Sequence, residues 1–591
     1  MRIHRLLLLA PILLTPWMVA CHTSLGDLDR EVAAMIDRRQ NLSLGKEGAA
    51  DPQIRPPRDS EPLEGDLYRD TPDTTNPRAA DLPTRDGAPR DQSQIGRGLD
   101  SADDPEALQF DLPKLLGYAI THGPDYRSEK EDLFLSALSL IIERHEWGPR
   151  FFNALSGVID GTPESGDFDT AASLINSFTA TQRLPYGGDI SVNALVNYTS
   201  LLQQASTNTG PTDAQTASIG VDLNLPLLRG RGMVAREDLI QAERDLVYAT
   251  REFERFRREF FVDISNTYFD LQRQLQSIEN QKRQLNGLLE LADRLRALAD
   301  AGRTPGFEAD DAEAQVLFGQ SNLIRAQDNY QAALDRLKIQ IGMPTTQPLV
   351  IQPTALAVPT PALDTDESIR IAQSGRLDLQ TTADRVRDAR RQALVSRDQL
   401  RGDLDLTASA DLRSDSDKDI DVLDFELADS SYRIGLEYDM PLDRKIELAQ
   451  YRQSLVQLER SIRNYRVERD RVALEVRDAI REIERSELTL QIQERNVQLA
   501  NRRVEDVEIR RQRGFVEPRR VIEAEEDLLD ARNSRDEALS DLQSSILRYL
   551  LDSGQMRVGG NGDWLIPGTL NAFIGEESIP SDDEEPDPPM H

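Results

Sequence analysis

The nine residues IGVDLNLPL at 219–227 have a counterpart, IGLEYDMPL, at 434–442, and this similarity is the main clue to the fold. Other landmarks repeat in the same order at an offset of about 212 to 215 residues. The matched glycines, first half before second, are Gly188 with Gly402, Gly302 with Gly514, and Gly342 with Gly554. Landmarks that share one order and nearly one offset indicate an internal duplication.

Each half holds two segments in which apolar and polar residues alternate with period two, near 190–199, 218–226, 403–413 and 431–441. Each segment is about ten residues long, which suits a tilted transmembrane strand. A soluble antiparallel sheet with one solvated face shows the same alternation, so spacing alone leaves both open. The polar loop 414–430 and the long helices that follow favour the membrane interpretation. Four strands are too few to close a barrel, so several chains must contribute.

Long helices are predicted directly after Pro226 and Pro441, the two strand-to-helix turns. Over 448–507, apolar residues step by three and four, which is the repeat of a left-handed coiled coil. Such helices would be on the order of 100 Å long. Gly302 and Gly514 are expected to end them, and shorter return helices begin beside a proline. The long helices and their return partners are predicted at 232–300 with 305–341, and at 444–512 with 518–551.

Composition excludes several classes of function. The 591 residues carry 103 acidic and 70 basic side chains, a net charge of −33, so nucleic-acid binding through phosphates is not expected. One cysteine excludes a disulfide framework and a thiolate metal cluster. With five histidines and no HExxH motif, we expect no enzyme, no metal site and no cofactor.

The N-terminus predicts export. Residues 1–20 have a basic start, an apolar stretch and a small residue before Cys21, which is typical of a secretory signal. The sequence 18–21 (MVAC) resembles a bacterial lipoprotein box, in which the cysteine is lipidated. An ordinary signal peptide with an incidental cysteine is the alternative. His22 is not the aspartate that favours inner-membrane retention, so the outer membrane is the expected destination.

The chain resembles the TolC-like outer-membrane efflux proteins, of the lipid-anchored kind, over 110–554. The resemblance is carried by the segment 225–230 (LPLLRG), its counterpart 440–442 (MPL), and 376–379 (RLDL) at the start of the second half. It implies a mainly α fold with a membrane β-barrel. Three chains with four strands each would close a twelve-stranded barrel, and the long coiled-coil helices would continue it as a periplasmic α-barrel.

The resemblance also implies partners and sites. A homotrimer in outer-membrane lipid would receive a periplasmic adaptor (membrane fusion) protein, with an inner-membrane transporter (RND, ABC or similar) supplying the energy. The adaptor-docking tips would be Gly302, Arg303, Thr304, Gly514, Phe515 and Val516. The periplasmic aperture would be formed by Glu308, Asp311, Arg520 and Glu523. Turn chemistry and solvated helix faces are the alternatives for these residues.

These expectations divide the chain into six parts. They are a signal peptide (1–20), a lipid-anchored, disordered Pro-rich linker (21–105), a first repeat (106–342), an inter-repeat linker (343–365), a second repeat (366–554), and a C-terminal equatorial segment with an acidic tail (555–591). The first repeat has about 39 more residues than the second between its opening helix and its first strand.

The expected function is that of a passive outer-membrane exit duct in a tripartite efflux or type I secretion system. The alternative is a lipid-anchored periplasmic coiled-coil adaptor or structural scaffold. An adaptor is expected to have one hairpin between compact β domains, whereas this sequence predicts two hairpins in tandem.

Overall fold

A computed structural model describes residues 25–44, 107–164, 167–203, 213–352, 363–414, 425–513, 515–558 and 564–565. The signal segment, Cys21, Gly514 and the acidic tail lie outside the described residues. The elements up to the first return helix are α1 (Leu25–Leu44), β1 (Leu108–Phe110), α2 (Leu112–His122), α3 (Pro124–Glu146), β2 (Arg150–Glu164), β3 (Asp167–Arg183), β4 (Asp189–Gln203), β5 (Asp213–Pro226), α4 (Glu237–Asp300) and α5 (Gly306–Ile341). The remaining elements are β6 (Leu349–Ile351), α6 (Thr365–Gly375), α7 (Leu377–Asp398), β7 (Asp403–Ser414), β8 (Phe425–Asp439), α8 (Lys445–Gln512), α9 (Pro518–Asp552), β9 (Arg557–Val558) and β10 (Trp564–Leu565).

The chain divides into two compact units. One holds the described residues of 133–249 and 379–468, and it contains the large sheet. The other holds those of 1–132, 250–378 and 469–591, and it is mainly helical. No helix within the described ranges combines the length and apolar character needed to cross a bilayer.

The large sheet has six antiparallel strands in the order β2-β3-β4-β5-β7-β8. Strands β4, β5, β7 and β8 lie at the four positions where alternation predicts them, with 12 to 15 residues each. The prediction of four strands per chain was therefore wrong in number, because β2 and β3 precede them in the same sheet. Period-two alternation misses β2, since Phe151 and Phe152 are neighbours and place large apolar groups on both faces.

The hairpin β2–β3 accounts for the extra length of the first repeat. From Arg150 to Gly188 the chain forms both strands and the turn that returns it to β4. In the second repeat, only four residues separate the end of α7 at Asp398 from the start of β7 at Asp403. Among the described residues, this hairpin is thus the main interruption of the duplication.

The turn between β3 and β4 depends on two glycines. Gly187 and Gly188 have φ values of 106° and 80°, a conformation in which a side chain is strained. The N–H of Leu184 donates to the carbonyl of Gly188 at 2.9 Å, and the N–H of Gly187 donates to the carbonyl of Leu184 at 2.9 Å. A Cβ on Gly188 would lie 1.9 Å from the carbonyl oxygen of Asn224, so the close approach requires glycine.

The predicted coiled-coil stripe is the less exposed side of α8. From Tyr451 to Val507, every predicted stripe position except Arg469 is buried or half-buried. Along α4, the apolar residues spaced by three and four are buried at Ile264, Tyr268, Leu271 and Ile278 and half-buried at Leu275. The buried side then shifts, so that Leu288 is buried and Leu289 is exposed. A straight α-helix drifts relative to a 3.5-residue repeat, which accounts for the shift.

Two segments predicted as linkers contain regular structure. Part of the Pro-rich linker forms α1, in which Val32 and Ile36 are fully buried one turn apart. Its i, i+4 apolar spacing gives this part the amphipathic face that the rest of the segment lacks. The inter-repeat linker contains β6, which pairs in parallel with β1 over Leu108 to Phe110.

Candidate functional site

The sheet has one apolar face and one polar face, and the register fixes both. Across five neighbouring strands, one row of the apolar face reads Ala180, Val192, Val221, Ala410 and Tyr432. The adjacent row on the polar face reads Thr181, Ser191, Asp222, Ser409 and Arg433. An apolar face opposite a polar one is the pattern of a wall between lipid and a wet lumen.

Carboxylates gather on the polar face near the ends of the strands that join the helices. Asp405 lies opposite Glu437 in the ladder, and Asp403 lies opposite Asp439. Asp222, on β5, accepts a hydrogen bond from Nδ2 of Asn193 at 3.1 Å. Arg433 is on the same face, opposite Ser409, and lies four residues farther from the helices than Glu437. The excess of acidic groups gives this part of the face a negative potential, which favours cations in a pore.

The strand-to-helix turns hold the sheet to the helix ends within its own unit. After Pro226, the N–H of Leu227 donates to the carbonyl of Leu404 at 2.7 Å, which extends the ladder by one bond. The N–H of Gly230 donates to Oδ2 of Asp398, the last residue of α7, at 2.8 Å. After Pro441, Nη1 of Arg444 donates to the carbonyl of Leu400 at 3.1 Å. The two prolines predicted as turns therefore begin connections that are hydrogen-bonded but differently built.

The helix tips share one hydrogen-bond pattern. The N–H of Arg303 donates to the carbonyl of Leu298 at 2.9 Å, and the N–H of Phe515 donates to the carbonyl of Arg510 at 3.0 Å. Both bonds span five residues, as in a Schellman motif, and Gly302 has the positive φ of 66° that this motif requires. The duplicated sequences thus end their long helices in the same way.

A small apolar core lies behind the tips. It joins α4, α5 and α9 through Leu288, Leu291, Leu295, Ala309, Ala312, Val316, Val521 and Ile522. Ala312 and Ala524, the alanines that follow the tip glycines by ten residues, are both buried. Their small side chains allow close approach of the helices, and this core positions the tip residues.

The four predicted aperture residues differ in their contacts. Glu308 and Asp311 lie in the first two turns of α5, and neither forms an ion pair within the described part of the chain. Arg520 pairs with Glu523 at 3.0 Å on the same helix, and Arg519 approaches Glu523 at 3.5 Å. The charge of Glu523 is therefore compensated within α9, whereas Glu308 and Asp311 have no ion-pair partner among the described residues.

Four other carboxylates lie near the tips, and most of them contact a neighbouring helix. Arg296 lies 3.3 Å from Glu313 and 3.7 Å from Asp310. Burial raises the pKa of Glu525, which Arg532 partly offsets. Glu526 accepts a hydrogen bond from Gln315 of α5. Asp310, Glu313 and Glu526 therefore contact neighbouring helices, although Asp310 and Glu313 remain largely exposed to solvent.

An ion-pair cluster around Arg376 was missed as a contact site, although the 376–379 motif pointed to this position. Nη2 of Arg376 lies 2.6 Å from Oδ2 of Asp378, and Nη1 contacts Glu475 of α8. Burial works against its charge, but the hydrogen bonds and charges of these carboxylates raise the pKa of Arg376. Nearby, burial raises the pKa of Asp552 to about 6, against the opposing effect of Arg548. The cluster joins the start of the second repeat to α8 and to the end of α9.

A second buried cluster lies on α4. Glu254 pairs with Arg257 at 2.6 Å and with Arg258 at 3.0 Å, and all three side chains are almost fully buried. Nη2 of Arg257 also donates to the carbonyl of Val558 at 3.2 Å. Charged residues one turn apart on a helix ordinarily lie in solvent, so sequence alone gave no signal that these were buried.

The chain matches the family described as outer membrane efflux protein over residues 190–342 and 369–548, which together make up more than half of its length. None of the curated protein sequences compared with the chain matches it.

Solved outer-membrane channels have a similar fold. The channel OprN is 15% identical, with a TM-score of 0.58, over 79% of this chain and 92% of OprN. VceC from Vibrio cholerae is 16% identical, with a TM-score of 0.57, over 76% of this chain and 96% of VceC. CmeC from Campylobacter jejuni is 15% identical, with a TM-score of 0.56, over 78% of this chain and 88% of CmeC. The chain belongs to the outer membrane efflux protein family and is an outer-membrane efflux channel, not an enzyme.

Proposed function

We propose that this channel is the passive exit duct of a tripartite efflux or type I secretion system. It would carry small molecules or polypeptides across the periplasm and the outer membrane as a homotrimer. A periplasmic adaptor would join it to an inner-membrane transporter of the RND, ABC or a similar class, which supplies the energy.

The observation that carries this proposal is the pair of matching helix tips. Each tip presents short, exposed loop residues beyond a rigid apolar core, and Phe515 is 77% exposed. Arg303 is exposed and Thr304 and Val516 are half-buried. An exposed aromatic side chain on a fixed turn is a typical anchor for a protein partner. Two such tips per chain would give a trimer six contact points for an adaptor.

The aperture is proposed to lie just behind the tips. Glu308 and Asp311 of α5 would face the pore and provide its negative charge, because the described residues give them no ion-pair partner. The pair formed by Arg520 and Glu523 would hold the α9 side of the aperture. Opening would then require movement of α5 and α9 at the tips.

Anchoring through Cys21 is also proposed. One acyl-linked cysteine strengthens membrane attachment by about 0.8 kcal/mol for each buried methylene group. A Cys21→Ser variant should therefore lose incorporation of radiolabelled palmitate in cells. If label is incorporated equally in that variant, Cys21 is not the acylation site.

Planar-bilayer conductance, together with particle mass in detergent, tests the duct. The full chain should have the mass of three copies and give discrete, cation-preferring current steps. A monomeric mass without channel conductance would refute the proposal.

Adaptor docking is tested separately at the tip. Phe515→Asp should abolish export of a pump substrate while leaving trimer mass and conductance unchanged, because it alters an exposed residue outside the apolar core. The matched control, Phe515→Tyr, keeps the aromatic contact and should retain export. Equal export by the Asp and Tyr variants would show that this tip residue does not dock a partner.

A further inference from the structure

The sheet ends in two long, open edges. Strands β2 and β8 are each 15 residues long, and among the described residues each pairs with a neighbour on one side only. From Phe151 to Gly161, every residue of β2 is exposed. On β8, Tyr432, Ile434 and Leu436 are between 68% and 84% exposed, whereas the inner strands are mostly half-buried. Long, exposed, apolar edges are templates for pairing with another strand.

The inserted hairpin belongs to the same wall as the other four strands. Phe151 of β2 lies opposite Ala180 of β3, and Ala180 lies opposite Val192 of β4, so the apolar face continues to the β2 edge. The ring of Phe151 stacks on that of Phe178 with centroids 6.1 Å apart on this face. Ser156 and Asp160 fall on the opposite face, in line with the polar face of β3.

The hairpin also spans the same height as its neighbours. Arg150 pairs with Thr181 of β3, and the same cross-strand row continues through Ser191, Asp222 and Ser409. Arg183, at the end of β3 beside the helices, pairs with Glu146 of α3 at 2.9 Å. Both ends of the insertion therefore lie on the helix side of the sheet, and adding two strands leaves the direction of all later strands unchanged.

We propose that β2 of one copy pairs with β8 of the next copy, so that three copies close an eighteen-stranded wall. The occupant of each open edge is thus a second copy of this chain. Edge pairing that runs from β8 to β2 is heterologous, and such contacts form a closed ring when the rotation between copies closes. The two edges are antiparallel when brought together, because β2 runs away from the helices and β8 runs toward them. This inference depends on the proposed homotrimer.

The consequence is a wider barrel section. Barrel diameter grows roughly linearly with strand number, so eighteen strands give a diameter about 1.5 times that of the twelve expected from four strands per chain. Barrels of this strand number leave an aqueous channel through their interior. In its membrane section, this duct would admit bulkier polar cargo than a twelve-stranded wall allows.

Disulfide cross-linking between copies tests which strands meet. Ser431→Cys on the polar face of β8 is combined in turn with a cysteine at one of three β2 positions, Phe152, Ala154 or Ser156. A matched set replaces Asn193, Leu195 or Asn197 on the same face of β4. Three positions on each strand allow for the stagger of register that barrel closure imposes, and a bond forms only where Cα atoms approach within about 7 Å.

The full chain is used, with particle mass measured first and single-cysteine variants as controls. The proposal expects trimer mass, with covalent dimers and trimers from at least one β2 pair and from no β4 pair. Cross-linking to β4 in a trimer would overturn it, since the hairpin would then lie outside a twelve-stranded wall. A dimeric mass, or a trimer in which neither set cross-links, would overturn it as well. Monomers without bilayer conductance would instead refute the proposed duct itself, so the two failures are distinguishable.

Discussion

At the scale of single residues, the turn between β3 and β4 requires glycine at position 188. Gly188→Ala should lower the thermal unfolding midpoint, because its Cβ would clash with the carbonyl of Asn224 and its φ is positive. A strained backbone position of this kind costs about 1–3 kcal/mol. The control is Gly157→Ala on β2, where a Cβ meets no atom within 4 Å. Equal midpoints for the two variants, measured by circular dichroism, would contradict the close approach.

Asp552 gives a prediction on pH. Burial raises its pKa to about 6, above the value of 3.8 for an unperturbed carboxyl. Between these values the folded state binds more protons than the unfolded state, so this group lowers stability as the pH rises from about 4 to 6. Asp552→Asn removes the buried charge. At pH 7.5 the variant should therefore gain about 1–2 kcal/mol over the parent after allowance for partial solvent screening.

The gain from Asp552→Asn should become small near pH 4.5, where the parent carboxyl is protonated. The measurement is the free energy of unfolding in denaturant at both pH values. A gain that is the same at pH 4.5 and pH 7.5 would show that the effect does not come from titration of this residue.

At the scale of elements, the tips depend on the apolar core that joins α4, α5 and α9. Leu295 is 2% exposed within it. Leu295→Ala should cost about 2–5 kcal/mol locally, because it leaves a cavity among helices that cannot fully collapse. Hydrogen exchange of the tip amides should accelerate, while exchange in the sheet stays unchanged.

The matched control for the core is Leu295→Met, which conserves volume and should cost less than about 1.5 kcal/mol. If the Ala and Met variants protect the tip amides equally, the core does not set tip stability. In that case the shared turn hydrogen bonds of Arg303 and Phe515 would be sufficient to hold the tips.

At the scale of the whole molecule, the acidic part of the polar face should set ion preference. The double variant Asp405→Asn, Glu437→Gln removes two facing carboxylates per chain, so the reversal potential in a KCl gradient should move toward zero. Arg433→Gln removes a positive charge from the same face and should shift it the opposite way. Unchanged potentials in both variants would place the selective charges elsewhere, such as at Glu308 and Asp311.

Much of the fold could be predicted because duplication and periodicity are properties of the sequence itself. Alternation located β4, β5, β7 and β8, and the 3.5-residue repeat located the less exposed side of α8. The tip glycines and the strand-ending prolines act through local backbone geometry, so the ends of these helices and strands could be predicted from the sequence alone. The acylation of Cys21, the docking role of the tip residues and the aperture role of the charged residues stay predictions.

The sequence by itself determined the family, the duplicated plan and the polarity of the four strands that alternate, because these depend on neighbours along the chain. Tertiary structure alone decided the number of strands, the burial of Glu254 and its arginines, and the ion pairs of Arg376. Each of these depends on partners distant in sequence. The strand β2 shows the reason most clearly: with Phe151 and Phe152 on opposite faces, only its pairing with β3 reveals that it is part of the wall.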